Sequence, residues 1–568
     1  MKSEDLILDL NDLTDKNINQ YGLIEKNIRN DFNLLIENFS IKNYHPSWIL
    51  SSVASREPDF SPLFSRCCNL ELIRFNIENN PSLEQIVIYD KQLSISIKKY
   101  CNSKKLPIYI KYERTKWPFF TSYLYLKKFI RSFFLVIMTI IAKSLTSKNI
   151  HTRSSPLILL STHIFKNSPD ELTKESYIDR YYPNLYSYLN KNQADNIVFV
   201  PGFPGGFQNY IKLFKKIKLS DINFLLKSDI LRINDYFYAF FSSSRVLFIK
   251  TPITFFKGFE ITNLIKSELN FHSFDYKIIE ALLNYRFVYR LKTNKINIAK
   301  FVDWHENNLA SKGFMLGFNK FLPQVSTIGY QGIIDSAAYL INLHPTIFER
   351  LSMQTPHIYI VIGEALVSNL KEFDNQINVL VGPSFRYNYL WEDKILIQNL
   401  NEFNILITLP ISITEANCIL DLLNKTLELL PRNFLLKVRV KYHPTYSQLK
   451  IKKLLLVNDN RVKFIVSSFI DCIFETRLLI SGASTTCIES MAIGIPVVVA
   501  GSKAGVMNVS IPNSVPADLY KIIVDETHLS EYISSLIDQN KYIYVNKLLR
   551  KRYFKKVDSA SVALLFDS

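Results

Sequence analysis

The 568-residue sequence holds only 15 glycines and six cysteines, and several signatures are missing altogether. No G-x-x-x-x-G-K-[ST] stretch occurs, which excludes a P-loop nucleotide hydrolase. G-x-S-x-G and H-E-x-x-H are also absent, so neither an α/β-hydrolase nor a zincin has support. The cysteines (Cys67, Cys68, Cys101, Cys418, Cys472 and Cys487) lack metal-ligand spacing, and adjacent Cys67 and Cys68 are poor disulfide partners. A reducing compartment is expected. No Asp-x-Asp pair lies in a loop suited to a metal, so no metal and no resident cofactor are expected. The absence of a Cys/His finger or an RNP-type motif argues against nucleic acid as a partner. No internal repeat is visible. The N-terminus, MKSEDLILDLNDL, is acidic and has no signal-peptide core, which fits a cytoplasmic location.

What is present is apolar bulk and positive charge. Hydrophobic residues make up 48%, with 40 Phe and 31 Tyr, as expected of a folded chain with large cores. The length implies two or three domains. Sixty-eight Lys and Arg against 51 Asp and Glu give a net charge of +17, which suits an anionic membrane surface or phosphorylated ligands. The segment 117–148 joins these themes. Its apolar centre, 133–142, is 10 residues long, and a bilayer span needs about 20. Lys127, Lys128 and Arg131 precede it; Lys143 and Lys148 follow. That pattern predicts a helix lying in the headgroup layer.

Short apolar runs alternate with helical stretches, the mark of βαβ units. One set runs from QIVIY (85–89) and LPIYI (106–110) through LILLS, NIVFV, NFLLK and AKFVDW to HIYIVIG (357–363). A second runs from FNILITL (403–409) through LLKVRVKY, VKFIV, RLLIS and PVVVA to KIIVD (521–525). The turn-rich GPSFRYNYLWEDK (382–394) separates them. The expected organisation is the start of a Rossmann-like domain over 1–116, a membrane-associating segment over 117–150, and the rest of that first domain over 151–385. A hinge follows over 386–402, then a second Rossmann-like domain over 403–568. Ligands of open α/β sheets sit beyond the carboxyl ends of the strands, so the chemistry is sought there.

In RLLISGASTTCIESMAIGIP a strand turns into a helix. Gly482 allows close approach to the backbone, and Ser484, Thr485 and Thr486 offer hydroxyl and amide donors to a phosphate. Glu489, one turn on, would repel phosphate but can accept from ribose hydroxyls. Upstream, KVRVKYHPTYS ends a strand in Lys441, and Pro444 fixes the turn that holds His443 at the sheet's carboxyl end. Together these motifs resemble the donor half of GT-B glycosyltransferases. They look most like bacterial transferases that use CMP-activated sugars of the sialyl, polysialyl and Kdo types. The E-x7-E pair of other GT-B enzymes keeps only its second acid, Glu489, which favours a CMP-linked donor. The resemblance implies an α/β fold with two Rossmann-like domains whose parallel sheets face across a cleft.

The other dense region is AKFVDWHENNLASKGF. Polar residues at a strand's carboxyl end are out of place in a core, so Glu306 with neighbouring His305 is the candidate general base for an acceptor hydroxyl. Asn307 or Asn308 could also simply cap the next helix. STIGYQG brings Gln331 and Gly332 to the same edge, and STHIF brings Thr162 and His163. STIGYQG, GPSFRY and ASREPDFSPLF, with Arg56, resemble bacterial surface-carbohydrate biosynthesis proteins. The implied activity is inverting, metal-independent transfer from a nucleotide-sugar co-substrate to a lipid-linked or saccharide acceptor, at the inner face of the cytoplasmic membrane. Three alternatives share these features: a CDP-polyol phosphotransferase of teichoic-acid type, a UDP-sugar 2-epimerase, and a non-catalytic membrane scaffold.

Overall fold

A computed structural model describes residues 6–58, 60–113, 120–146, 155–164, 172–203, 210–273, 275–334, 340–392, 402–444, 446–482, 484–501, 511–512, 515–539 and 545–567. Near the N-terminus, β1 (Ile7–Asp9), β2 (Gln85–Ile88) and β3 (Tyr109–Tyr112) make a parallel sheet of their own. The sequence grouped the 85–89 and 106–110 runs with the first large sheet. Their apolar side chains, Ile86, Ile88 and Ile110, pack with Phe32, Trp48 and Phe64 of the N-terminal helices in a core that also takes in Leu159, Val198 and Phe301 of the first large sheet.

The first large sheet uses β4 (Leu157–His163), β5 (Ile197–Gly202) and, past a small hairpin of β6 (Phe255–Phe256) and β7 (Phe259–Glu260), four later strands. These are β8 (Ile298–Trp304), β9 (Ser326–Gln331), β10 (Ile358–Val361) and β11 (Val379–Val381). The order is β11-β10-β9-β8-β4-β5, all parallel. The second sheet comprises β12 (Phe403–Thr408), β13 (Leu436–Lys441), β14 (Val462–Ile465), β15 (Leu478–Ser481), β16 (Val497–Ala500) and β17 (Tyr520–Ile523). Its order is β14-β13-β12-β15-β16-β17, again all parallel, which is the Rossmann order. All six residues of β12 are buried, as expected of a strand covered on both faces. Two Rossmann-like sheets of six strands give the GT-B arrangement expected from the sequence.

Strand order also locates the clefts. Ligand crevices open where successive crossovers leave in opposite directions. In the first sheet that point lies between β4 and β8, and in the second between β12 and β15. Thr162, His163, Trp304 and Glu306 gather at the one; Thr408, Ser481 and Gly482 gather at the other.

The link after β11 forms a 3-10 turn, Phe385–Trp391. The chain's end, which the sequence assigned to the second domain, returns to the first. Lys555 N donates to Ile362 O at 2.6 Å, and Ser384 N donates to Lys555 O at 3.0 Å. A Cβ on Gly363 would lie 2.3 Å from Tyr553 O, so only glycine admits this crossing. The helix Phe120–Thr146 packs against the helix Tyr210–Leu219 and leaves Tyr123, Leu126, Phe129 and Phe133 exposed. Among the described residues no helix is long and apolar enough to cross a membrane.

Candidate functional site

The end of β8 is built from the inside outward. Trp304 is buried, and its indole Nε1 donates to Glu306 Oε1 at 2.8 Å, which fixes the carboxylate at the strand end. Gly332 makes this possible, because a Cβ there would come within 2.3 Å of the Trp304 ring. The next residue, Asn307, adopts a left-handed conformation (φ 46°). Its Nδ2 donates to Asn342 O at 2.7 Å, while Asn342 Nδ2 donates to Glu306 O at 2.9 Å. Asn308 caps the following helix by accepting from Ser311 N. The turn therefore has the capping role considered from sequence, and it sets Glu306 just past the strand end.

His305 does not share that exposure. It is 1% exposed, and its Nδ1 lies 3.0 Å from Asp303 Oδ2. Strand alternation explains the difference: consecutive residues at a strand end point to opposite sides, so Glu306 lies on the side of Trp304 and is partly exposed, whereas His305 lies on the opposite side with Asp303 and is buried. Gln331 is also buried. Thr162 donates to Asp179, whose other oxygen accepts from Tyr181 N and Tyr182 N. This anchors the segment carrying Arg180 and Tyr181 above the strand ends. His163 is half-buried, with its ring 5.8 Å from that of Tyr181.

Arg56 lies away from the cleft. Its guanidinium is enclosed, with Nη2 2.7 Å from Glu349 Oε2 and Nη1 2.8 Å from Asn33 Oδ1. Lys312 Nζ reaches Glu349 Oε1 at 2.5 Å. Arg56 therefore belongs to a buried ionic cluster beneath the turn that carries Glu306, and its sequence neighbourhood marked a structural junction.

In the second half, hydroxyls form a chain at the switch point. Thr408 donates to Ser481 Oγ at 2.7 Å, and Thr486 donates to Ser484 Oγ at 2.8 Å. Gly494, with φ 91°, terminates the short helix Thr486–Ala492, as the sequence indicated. Glu489 is turned inward. Its Oε2 accepts from the Tyr389 hydroxyl at 2.5 Å and its Oε1 from Thr485 at 3.4 Å. Burial holds its carboxyl above the ordinary carboxylate range. In this arrangement it braces the link between the halves and does not present itself to a ribose.

Lys441 and His443 are half-buried at the end of β13, and Pro444 is exposed. Burial, and then Arg180 from the first half, Lys441 and Lys450, push the imidazole down to about 4, so it is neutral at pH 7. It can offer an N–H but no charge. Burial also lowers Lys441. β12 lies between β13 and β15, so a ligand touching both His443 and Ser484–Thr486 spans two strand spacings, about 10 Å.

The sequence reading missed Arg386, which stands between the two switch points. Its guanidinium lies 6.0 Å from the Tyr181 ring centroid, 5.8 Å from Trp304 and 5.7 Å from Tyr387. Burial opposes its charge, but Tyr387, Glu489, Tyr181 and Glu306 outweigh that effect and its pKa is raised. Among the described residues it makes no ion pair or hydrogen bond. The available signal was the run GPSFRYNYLW, read from sequence as a hinge: an Arg among aromatics in a link between domains.

No family model matches the chain, and no curated protein matches it. Several solved structures resemble it distantly. UDP-GlcNAc 2-epimerase from Neisseria meningitidis, bound to UDP-GlcNAc, is 12% identical with a TM-score of 0.41, over 72% of this chain and 98% of that one. MurG from Acinetobacter baumannii is 11% identical with a TM-score of 0.35, over 73% and 98%. The wall teichoic acid polymerase TagF is 11% identical with a TM-score of 0.37, over 80% and 97%. At such values these likenesses lend this chain no residue role, ligand or activity.

Proposed function

We propose that the chain is a glycosyltransferase that moves a sugar from a nucleotide-activated donor, with CMP-linked Kdo or a nonulosonate favoured, to a hydroxyl of a lipid-linked or oligosaccharide acceptor in surface polysaccharide synthesis. Glu306 takes the proton of the acceptor hydroxyl, whose oxygen attacks the anomeric carbon. The bond from that carbon to the phosphate oxygen breaks, with inversion, and the electron pair leaves on the nucleotide phosphate. Arg386 and Lys441 face that charge as cations. His443 and the hydroxyls of Ser484, Thr485 and Thr486 add neutral donors, so no metal is required. The helix Phe120–Thr146, with its exposed aromatic side and basic flanks, lies on the anionic inner face of the cytoplasmic membrane.

The observation that carries this reading is Arg386: a charged guanidinium between the two switch points that lies near the Tyr181 and Trp304 rings and, among the described residues, makes no ion pair. Its removal leaves Glu306 and Glu489 without the cation between them. Titration calorimetry of CMP, UMP, GMP and CDP against the purified protein tests it. CMP binds, and Arg386→Gln weakens binding by at least about tenfold, the equivalent of about 1.4 kcal/mol. Absence of binding by every nucleotide refutes the donor site. CMP binding without donor turnover, unchanged in Glu306→Gln, makes the protein a scaffold.

A further inference from the structure

Beneath the helix Phe120–Thr146 lies a cavity of about 100 Å³ that the donor chemistry leaves unused. Leu135, Met138 and Ala142 of that helix roof it, and Phe214, Leu231 and Leu283 close it from below. Interiors normally pack as densely as organic crystals. Apolar cavities of about 150 Å³ stay dry and accept apolar guests. At about 100 Å³ the enclosed space here is smaller, enough for one segment of an apolar chain.

Its two ends differ. On the outside, the roof helix exposes Tyr123, Leu126, Phe129 and Phe133, and Phe237 and Phe241 of the neighbouring helix Ile233–Ser244 are exposed as well. Phe129 and Phe240 stack edge-to-face at 5.7 Å, so the two helices form one continuous apolar surface. At the inner end stand Lys227 and Glu280, 3.2 Å apart. The same two residues also border a second, polar cavity lined by Thr162, His163, Asp303 and Trp304 at the first switch point. Trp304 in turn holds Glu306.

We infer that this cavity binds the hydrocarbon chain of a membrane amphiphile, whose polar head passes Lys227 and Glu280 to reach Glu306. The assignment deepens the glycosyltransferase reading and rests on it for the word acceptor. It makes the helix Phe120–Thr146 a chain-binding element as well as a surface anchor. The occupant enters from the bilayer side, and the reacting hydroxyl lies at the opposite end. Arg131, held over the Tyr276 ring at 4.2 Å, adds a cation to a lining that otherwise carries the Lys227–Glu280 pair.

Fluorescence titration of the full chain with dansylamino-undecanoic acid, without nucleotide, tests the cavity directly. Saturable one-to-one binding with blue-shifted emission is expected. Ala142→Phe, which fills the space, weakens it by at least about tenfold. Met138→Trp serves as the second filling variant if Ala142→Phe does not fold. Phe133→Ser, on the exposed side, keeps the probe affinity but reduces co-sedimentation with phosphatidylglycerol vesicles. Lack of saturable binding by the wild type overturns the inference, and so does unchanged binding in a folded filling variant. If the probe binds but nucleotides do not, the chain site stands and only its role in glycosyl transfer falls.

Discussion

Glu349→Gln is the substitution whose effect follows most directly from the geometry. The carboxylate accepts from Arg56 and Lys312, and also from Thr346 N at 3.1 Å and Asn307 Nδ2 at 3.2 Å. All three charged side chains are at most 4% exposed. Burial alone would raise the carboxyl pKa, but Arg56 and Lys312 outweigh it and hold the group at about 2 instead of the ordinary 4.5. At about 1.4 kcal/mol per decade this difference corresponds to about 3 kcal/mol. Breaking a buried ion pair from one side costs about 3 to 5 kcal/mol by a separate route. The two magnitudes agree because Gln leaves two buried cations facing a neutral amide.

Because the folded pKa is depressed, this contribution is complete above about pH 4.5 and is lost as pH falls towards 2. Urea unfolding followed by circular dichroism at pH 7 should therefore show Glu349→Gln less stable by about 3 kcal/mol. The difference from wild type should shrink on acidification. The same variant weakens one of the two bonds of Asn307, which positions the turn of Glu306, so donor turnover should fall while nucleotide affinity holds. A stability change below about 1 kcal/mol at pH 7, or one independent of pH below 4.5, refutes the reasoning.

Other outcomes follow from single contacts. Gly332→Ala places a methyl group 2.3 Å from the Trp304 ring, so the indole must move and release Glu306. Overpacking of this kind costs about 1 to 3 kcal/mol, and the tryptophan emission should shift; unaltered emission and turnover would contradict it. Tyr389→Phe removes the hydroxyl that donates to buried Glu489 and should destabilise by about 1 to 3 kcal/mol in thermal unfolding, with no change expected if that bond were formed by solvent instead. The ring of His443, held at about 4, should stay neutral from pH 5 to 8 in an NMR titration of the unliganded protein. A midpoint near 6.5 would show that burial and the surrounding cations do not act on it.

The two halves share an apolar core that runs from Val302, Tyr330 and Ile360 of the first to Leu406, Leu479 and Ile488 of the second, and charged and aromatic residues of the link add to it. Arg386 and Tyr389 leave the 3-10 link in different directions: the guanidinium lies over Trp304 of the first half, and the hydroxyl bonds Glu489 of the second. Arg180, from the segment anchored by Thr162 and Asp179, acts on His443 of the second half. Any change in the angle between the sheets alters both relations together.

Most strands of the two large sheets and the places where polar residues concentrate were legible in the sequence, although the runs 85–89 and 106–110 went to a sheet of their own and NFLLK formed no named strand. Apolar runs at βαβ spacing are local signals, and polar residues directly after them, such as Glu306, His443 and Ser484, fall at strand ends wherever the strands are placed. Glycine and proline punctuation at Gly494 and Pro444 was legible for the same reason. Tertiary structure alone decided which of these residues face one another. His305 turned inward by strand alternation, and Arg56 was claimed by Glu349 and Asn33 from distant segments. Glu489 was taken by Tyr389, 100 residues away, and Arg386 acquired its place from the meeting of both halves. Charge environment depends on neighbours brought together by long-range packing, and a linear pattern carries no record of them.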